Sequence, residues 1–398
     1  MLAKRLLITT FTFPPQRNGV SHVVEAHAYG LARLGYDITV ATGLEPAAQS
    51  FTYPPNVHVA RFDVWGSGRR FRAGGYHGDI EGYQRFIREF DGDAILCHAW
   101  QIWSSDLAIQ AFTRVRAKKV MISHGFNAAS IRPTLRSAFN WLCWRSYVRE
   151  LPEMLKAFDH SVFLTDRSDR RSFYDHGMIK RLGLKHYSVI PNGVYLDRFE
   201  TAATHAQGFR ERLGIGRRPM ILNVSNYMDG KNQEMAVRAF MRPDMKDAVL
   251  VLIGSEINDY ARSVQNICQS LKKPGQDSKQ VFFLERQSQE DVAAAYCAAD
   301  LFVCPSRHEV QPLVILEAIA SGTPFISTDV GCVRDIPGGI IVKNVAEMAD
   351  TMVMLLNDRE RRDTLKNAGT QAARSLYNWQ VVIKRYDALL ERLCARRC

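Results

Sequence analysis

The chain runs to 398 residues, 46% apolar and 23% charged, a globular balance and more length than one ordinary hydrophobic core organises, so two domains are expected. No apolar run approaches the roughly eighteen residues that a membrane-spanning helix needs, which excludes an integral helical membrane protein. The net charge of +11 points to an anionic partner, and residues 131–190 carry much of it, with eleven Lys and Arg against six Asp and Glu.

In chain order, the opening "MLAKRLLITTFTFPP" has two basic residues before its apolar run, but Thr interrupts that run and no small-residue cleavage site follows. It reads as a first buried strand, and the protein as cytoplasmic. Strand-like runs at 5–10, 37–42, 94–98, 119–123 and 160–164 alternate with amphipathic stretches. A second series follows at 220–224, 248–253, 280–284, 300–304 and 324–328. This alternation is the pattern of parallel α/β sheets covered by helices.

Between the two series lies "VIPNGVYLDRF", residues 189–199, where Pro191, Asn192 and Gly193 supply turn chemistry for a hinge. The expected domains are 1–190 and 196–375. The last stretch, 376–398, has apolar residues at helical spacing (Val381, Val382, Tyr386, Leu389, Leu390, Leu393) and is expected to pack back on the first domain. The eight cysteines form no CxxC pair and suit buried thiols in a reducing compartment.

The segment "SRHEVQPLVILEAIASGTP" sets Glu309 and Glu317 in an otherwise apolar run. Pro312 suits a helix start and Gly322 with Pro324 a stop, so a buried helix of roughly three turns is expected to begin just after Glu309. A carboxylate inside such a helix needs partners. Backbone N–H groups near Gln311, Leu313 and Val314 would attract a phosphate, and an adjoining ribose would offer hydroxyls to Glu317. The alternative is that Glu317 faces solvent or pairs with Arg307 or Arg334. Two other strand-to-helix loops carry phosphate-compatible residues: Lys231 in "NVSNYMDGKNQEMAVRAF", and Gly19 in "FTFPPQRNGVSHVVEAHAYGLARLG", where glycine permits close approach of a ligand.

Taken together, "PPQRNGVSHVVEAHAYGLARLGYDITVAT", "IPNGVYLDRF", "VSNYMDGKN", "AADLFVCPSRHEVQPLVILEAIASGTPFIST" and Trp379 resemble the family 4 retaining glycosyltransferases over nearly the whole chain. The E-x7-E stretch followed by A-x-A-x-G-x-P is the most specific part. The resemblance implies the α/β GT-B fold, two Rossmann-like domains with parallel sheets facing across a deep cleft. It further implies transfer of a sugar from a nucleoside diphosphate to a hydroxyl with retained configuration, in polysaccharide, glycolipid or glycoconjugate synthesis. Glu317 would bind the ribose, Glu309 would face the donor sugar, Lys231 would stabilise the leaving diphosphate, and Gly19 would approach it from the other domain. The family's usual Arg five positions before the Lys is Asn226 here, and its usual Phe-Gly after the first Glu is Val310-Gln311-Pro312.

His124 in "MISHGFN" matches the family's loop histidine that contacts the donor sugar, and His98 in "AILCHAW" also ends a strand; the other reading of each is a structural histidine at a strand end. The expected partners are a UDP- or GDP-sugar and a carbohydrate or lipid-linked acceptor, with no cofactor, no metal requirement and no nucleic acid. Trp141, Trp144 and Tyr147, interleaved with Arg145, Arg149 and Lys156, either rest on an anionic membrane at its inner face or pack inside the first domain. Asp91-Gly92-Asp93 precedes an apolar run instead of following one and reads as a turn, not a metal-binding DxD. Neither a G-x-S-x-G elbow nor a G-x-G-x-x-G turn is present. A sugar-nucleotide epimerase on the same fold and a basic membrane- or nucleic-acid-binding module are the competing functions; no nucleic-acid motif accompanies the basic region.

Overall fold

The computed structural model describes residues 4–66, 75–126, 135–168, 172–242, 245, 247–272 and 280–395. The chain divides into two compact units, Met1–Asn192 with Trp379–Cys398, and Gly193–Asn378.

In the first unit the strands are β1 (Arg5–Thr9), β2 (Asp37–Gly43), β3 (Val57–Phe62), β4 (Val64–Gly66), β5 (Tyr76–Gly78), β6 (Ala94–His98), β7 (Lys118–Ile122), β8 (His160–Phe163) and β9 (Tyr187–Val189). Seven of them form one parallel sheet in the order β3-β2-β1-β6-β7-β8-β9, and β4 pairs antiparallel with β5. Leu6, Leu7, Ile8, Ile95 and Leu96 are fully buried, as both faces of a helix-covered parallel sheet require. The helices are α1 (Gly19–Arg33), α2 (Ile80–Arg88), α3 (Trp103–Ala111), α4 (Leu135–Lys156) and α5 (Tyr174–Arg181). Asn18 caps α1 by accepting a hydrogen bond from the Ser21 amide at 3.0 Å.

The terminal helix, Trp379–Cys394, packs on α1. Gly30 makes this approach close, since a Cβ there would stand 2.5 Å from Ile383 Cγ1. Beside it the Tyr36 hydroxyl donates to Asp387 at 2.6 Å. In α4, Trp144 and Tyr147 are 7% and 6% exposed and belong to the sheet's core cluster, so the structure turns these two rings inward, away from the membrane-facing arrangement. The Trp141 side chain lies outside the described residues. Asp93 at the mouth of β6 accepts the Arg5 amide at 2.9 Å, the turn role expected of that segment.

The second unit holds β10 (Met220–Val224), β11 (Val249–Gly254), β12 (Gln280–Glu285), β13 (Leu301–Cys304), β14 (Phe325–Thr328) and β15 (Gly339–Val342). All are parallel, in the order β12-β11-β10-β13-β14-β15. The strand order runs outward in both directions from β10 and β13. Ligands of open α/β sheets gather at the carboxyl ends of strands at such a reversal. The helices are α6 (Asp197–Ala202), α7 (Ala206–Arg212), α8 (Gln233–Phe240), α9 (Asp259–Leu271), α10 (Gln289–Ala298), α11 (Leu313–Ala320), α12 (Val345–Asn357) and α13 (Arg359–Ser375). The ends of this unit meet where the Val194 amide donates to the Tyr377 carbonyl at 2.6 Å.

The helix expected to run three turns from just after Glu309 is a correction: α11 has eight residues and begins at Leu313. Pro312 stands before it in an extended conformation instead of inside its first turn, which shortens the helix to about two turns. Strands β3, β4, β5, β9 and β15 were not among the expected runs. Among the described residues, no helix is long and apolar enough to cross a membrane.

Candidate active site

The loops after β10 and β13 are tied together by backbone and side chain. The turn Asp229–Lys231 ends in Asn232, whose left-handed conformation (φ 55°) redirects the chain into α8. Asn232 Nδ2 donates to the Pro305 carbonyl at 3.1 Å, and the Arg307 amide donates to the Gly230 carbonyl at 2.8 Å. Tyr227 anchors the loop from beneath through its hydroxyl, which meets the Leu252 and Leu284 carbonyls at 2.9 and 3.0 Å.

This stitching brings Lys231 to Glu309, with Nζ 2.6 Å from Oε1. Ser306 Oγ donates to the same carboxylate oxygen at 2.9 Å. Both charges are largely screened from solvent, so each makes the other's burial tolerable. Asn226 lies on the same loop, exposed, its carbonyl taking a hydrogen bond from Gln233 Nε2 at 3.0 Å. Gln311 is buried, and Leu313 and Val314 open α11, where the first amides of a helix lack intrahelical acceptors.

Glu317 sits about one turn into α11, half-buried, with its carboxylate 3.7 Å from an Arg198 guanidinium nitrogen. Neither of the two arginines weighed from the sequence is its partner. Arg307 is engaged by Asn232 and Asp229, and Arg334 by Asp329. The Tyr296 phenol, fully buried in α10, is held far above its ordinary value by burial and then by the Glu317 charge, so it stays neutral beside that carboxylate. Arg198 is fixed in turn by the Gln289 carbonyl at 2.7 Å. Arg198 stands in the linker motif, but nothing in its spacing says which carboxylate it meets.

In the first unit, Gly19 is the first residue of α1, and a Cβ built there meets nothing within 4 Å. His98 and His124 leave adjacent strands, β6 and β7, and their rings meet at 3.0 Å, Nδ1 to Nε2. His98 is completely buried, one imidazole behind His124. Behind it again stands His27 of α1, 3.5 Å from His98, against Trp379 and Tyr386 of the terminal helix. Burial pulls all three down: His27 to about 3, His124 to about 4, and His98 well below the usual imidazole range, the neighbouring rings adding to the effect at His27 and His98. The file is therefore neutral at ordinary pH. His27 was missed because an isolated histidine on a helix carries no pattern; only the fold lines it up with β6.

The turn after β6 holds two non-glycine residues in left-handed conformations, Ala99 (φ 66°) and Gln101 (φ 65°). Strain of this kind persists only where surroundings impose it. Here the Gln101 amide donates to the Tyr147 hydroxyl at 2.8 Å, and Tyr147 and Tyr76 donate to Asp106 at 2.6 and 2.5 Å. Burial lifts the Asp106 carboxyl to about 6 despite these donors.

Known proteins resemble this chain along most of its length. Residues 17–198 match Glycosyltransferase Family 4, and residues 218–358 match Glycosyl transferases group 1. A D-inositol 3-phosphate glycosyltransferase of Nocardia farcinica is 33% identical over 195 residues, 46% of this chain and 42% of that protein, so the aligned part spans less than half of the relative. A GDP-mannose-dependent alpha-(1-6)-phosphatidylinositol monomannoside mannosyltransferase of Mycobacterium tuberculosis is 26% identical over 406 residues, 95% of this chain and 96% of that one. In fold, the chain is similar to a sucrose-phosphate synthase from Thermosynechococcus elongatus, with a TM-score of 0.78 at 18% identity over 99% and 100% of the two chains. With one match on each unit and a fold shared end to end, the chain belongs to the family 4 glycosyltransferases of the GT-B fold.

Proposed function

We propose that this protein transfers a sugar from a nucleoside-diphosphate sugar to an acceptor hydroxyl with retention at the anomeric carbon. The observation that carries the reading is the convergence of Lys231 and Glu309, 2.6 Å apart, on the two central strand-end loops of the second unit. A cation there suits a departing diphosphate, and the first amides of α11 add dipoles of the same sense. In this reading these groups supply the charge stabilisation, and no metal is needed. Glu317, steadied by Arg198, takes the ribose hydroxyls.

The bond from the anomeric carbon to the diphosphate oxygen breaks as the acceptor oxygen bonds to the same face of that carbon. The acceptor's proton passes to the departing phosphate oxygen, so no enzyme nucleophile is required. Glu309 steadies the donor sugar through its hydroxyls and the positive charge that develops on the ring. His124, neutral and backed by His98, offers a hydrogen bond to a sugar hydroxyl.

The relatives' names favour GDP-mannose as the first donor to try and an inositol-bearing or lipid-linked acceptor, whose phosphate the chain's net positive charge would attract. A thermal-shift screen against UDP-, GDP-, ADP- and CMP-sugars, followed by transfer assays with the stabilising donor, tests the proposal. One nucleotide series raising the melting temperature, with a product of retained configuration, is the expected result. No shift with any sugar nucleotide would overturn it.

A further inference from the structure

The segment 306–310, which carries Glu309, is held by the last residue of β14 and the turn that follows it. Thr328 Oγ1 donates to the Ser306 carbonyl at 2.5 Å. Three residues beyond Ser306 stands Glu309, which the Ser306 side chain also binds. On the far side of Glu309, the Cys332 amide donates to the Val310 carbonyl at 2.9 Å. Between these two ties lies Gly331, at φ +54°. A Cβ at Gly331 would stand 2.0 Å from the Val310 carbonyl oxygen and 2.8 Å from that of Glu309. Both contacts are with backbone, so neither can be relieved by turning a side chain.

We infer that Thr328, Gly331 and Cys332 form a template that sets the backbone of residues 306–310, and that this template positions Glu309 and decides which donor sugar the site accepts. The inference rests on the reading of Glu309 given above. Its physical basis is that the main chain on both sides of Glu309 is tied, at Ser306 and Val310, to the one short segment 328–332, while Lys231 holds the carboxylate from the opposite loop. Displacing either tie moves the carboxylate relative to the cation without touching Glu317. A misplacement of about 1 Å at a reacting centre is enough to cost about a hundredfold in rate. The template residues are positioning residues: none of them need touch the sugar.

The test compares Thr328→Val, which keeps the shape and deletes the hydroxyl, with Thr328→Ser, which keeps the hydroxyl, and adds Gly331→Ala. Nucleotide dissociation constants, kcat, KM and relative kcat/KM over a panel of sugar nucleotides are measured for each. Thr328→Val is expected to lower kcat at least tenfold while nucleotide affinity stays within twofold, and Thr328→Ser to recover to within threefold of wild type. Gly331→Ala is expected to change the ratio between the two best donors at least tenfold; should it fail to fold, the Thr328 pair decides the matter alone. Unchanged kcat and donor ratios in Thr328→Val would overturn the inference, as would Thr328→Ser no better than Thr328→Val, or nucleotide affinity falling in step with kcat. A wild-type chain that transfers from no sugar nucleotide, or a fully active Glu309→Gln, overturns the reading of the site and the inference with it. An active wild type that depends on Glu309 but not on the Thr328 hydroxyl overturns the inference alone.

Discussion

Lys231 Nζ lies 2.6 Å from Glu309 Oε1, with Ser306 Oγ on the same oxygen. The cation assigned to the diphosphate and the acid assigned to the sugar are thus one electrostatic unit. Removing either partner leaves the other largely screened from water and uncompensated, a larger perturbation than losing an exposed ion pair. Lys231→Ala is expected to lower turnover by about 10² to 10³, the range for loss of one stabilising group at a developing charge. Glu309→Gln is expected to lower turnover while nucleotide affinity holds. Steady-state kinetics of both single variants and the double variant give the coupling, and additive effects would show that the pair does not act as a unit.

Glu317 has a different task. It is set by Arg198 at 3.7 Å and by the neutral Tyr296. Glu317→Ala is expected to weaken nucleoside-diphosphate binding about 10- to 100-fold, the equivalent of one or two hydrogen bonds to a charged group. The same variant should lose discrimination against 2′- and 3′-deoxynucleotides. Calorimetric titration with the diphosphate and its deoxy analogues checks both, and wild-type affinity in the variant would remove the ribose assignment.

The sequence was most legible where buried strands are continuous apolar runs. β1, β2, β6 to β8, β10, β11, β13 and β14 all announce themselves, because a strand covered on both faces has no polar side to show, and β12 does so through its apolar run at 281–284 although it is a half-buried edge strand. Three of the five unexpected strands fail for the converse reason. β9 is half-buried along its length, and the three-residue β4 and β5 are mostly exposed, so their composition matches that of loops. At the site, Glu309, Glu317 and Lys231 could be picked out because a charge in an apolar run or a turn demands explanation. Arg198, Tyr296, His27 and Thr328 could not, because each acts through a contact made by segments far apart in sequence. The length of α11 was overestimated because Pro312 serves equally well before a helix and within its first turn.

The neutral file His27–His98–His124 has a consequence for stability. These imidazoles take up protons near 6.5 in the unfolded chain, but only at about 3 for His27 and about 4 for His124 in the folded one. The unfolded state therefore binds more protons through this window, and stability is full above about pH 6.5 and falls on acidification towards the folded values. Asp106 and Asp175, raised to about 6 by burial, act in the opposite sense, since their contribution falls as pH rises from about 4 to 6. The imidazole shifts are more numerous and larger, and His160, lowered to about 4, adds to them. The melting temperature is expected to drop between pH 7 and pH 5. His27→Gln should drop less steeply over the same range, whatever its melting temperature at neutral pH. Parallel pH profiles for the two proteins would show that the file is not held neutral.

The terminal helix gives a test of packing separate from chemistry. Gly30 of α1 faces Ile383, and a Cβ at 30 would sit 2.5 Å from Cγ1 and 2.8 Å from Cδ1 of that side chain. Ile383 is 5% exposed, so it has little room to turn aside, although its Cδ1 is the more mobile of the two atoms. Gly30→Ala gains helix propensity of about 1 kcal/mol, which offsets part of the clash. Gly30→Val adds two methyl groups and a β-branch, and the overpacking should dominate, destabilising the first unit by about 1 to 3 kcal/mol. His27, one turn earlier on α1, packs on Trp379 and Tyr386 of the same helix, so a displaced helix also disturbs the histidine file. Urea denaturation should therefore rank wild type above Gly30→Val, with Gly30→Ala between them or near wild type. Gly30→Val as stable as wild type would mean that the terminal helix is free to shift and that Gly30 is not what sets its distance.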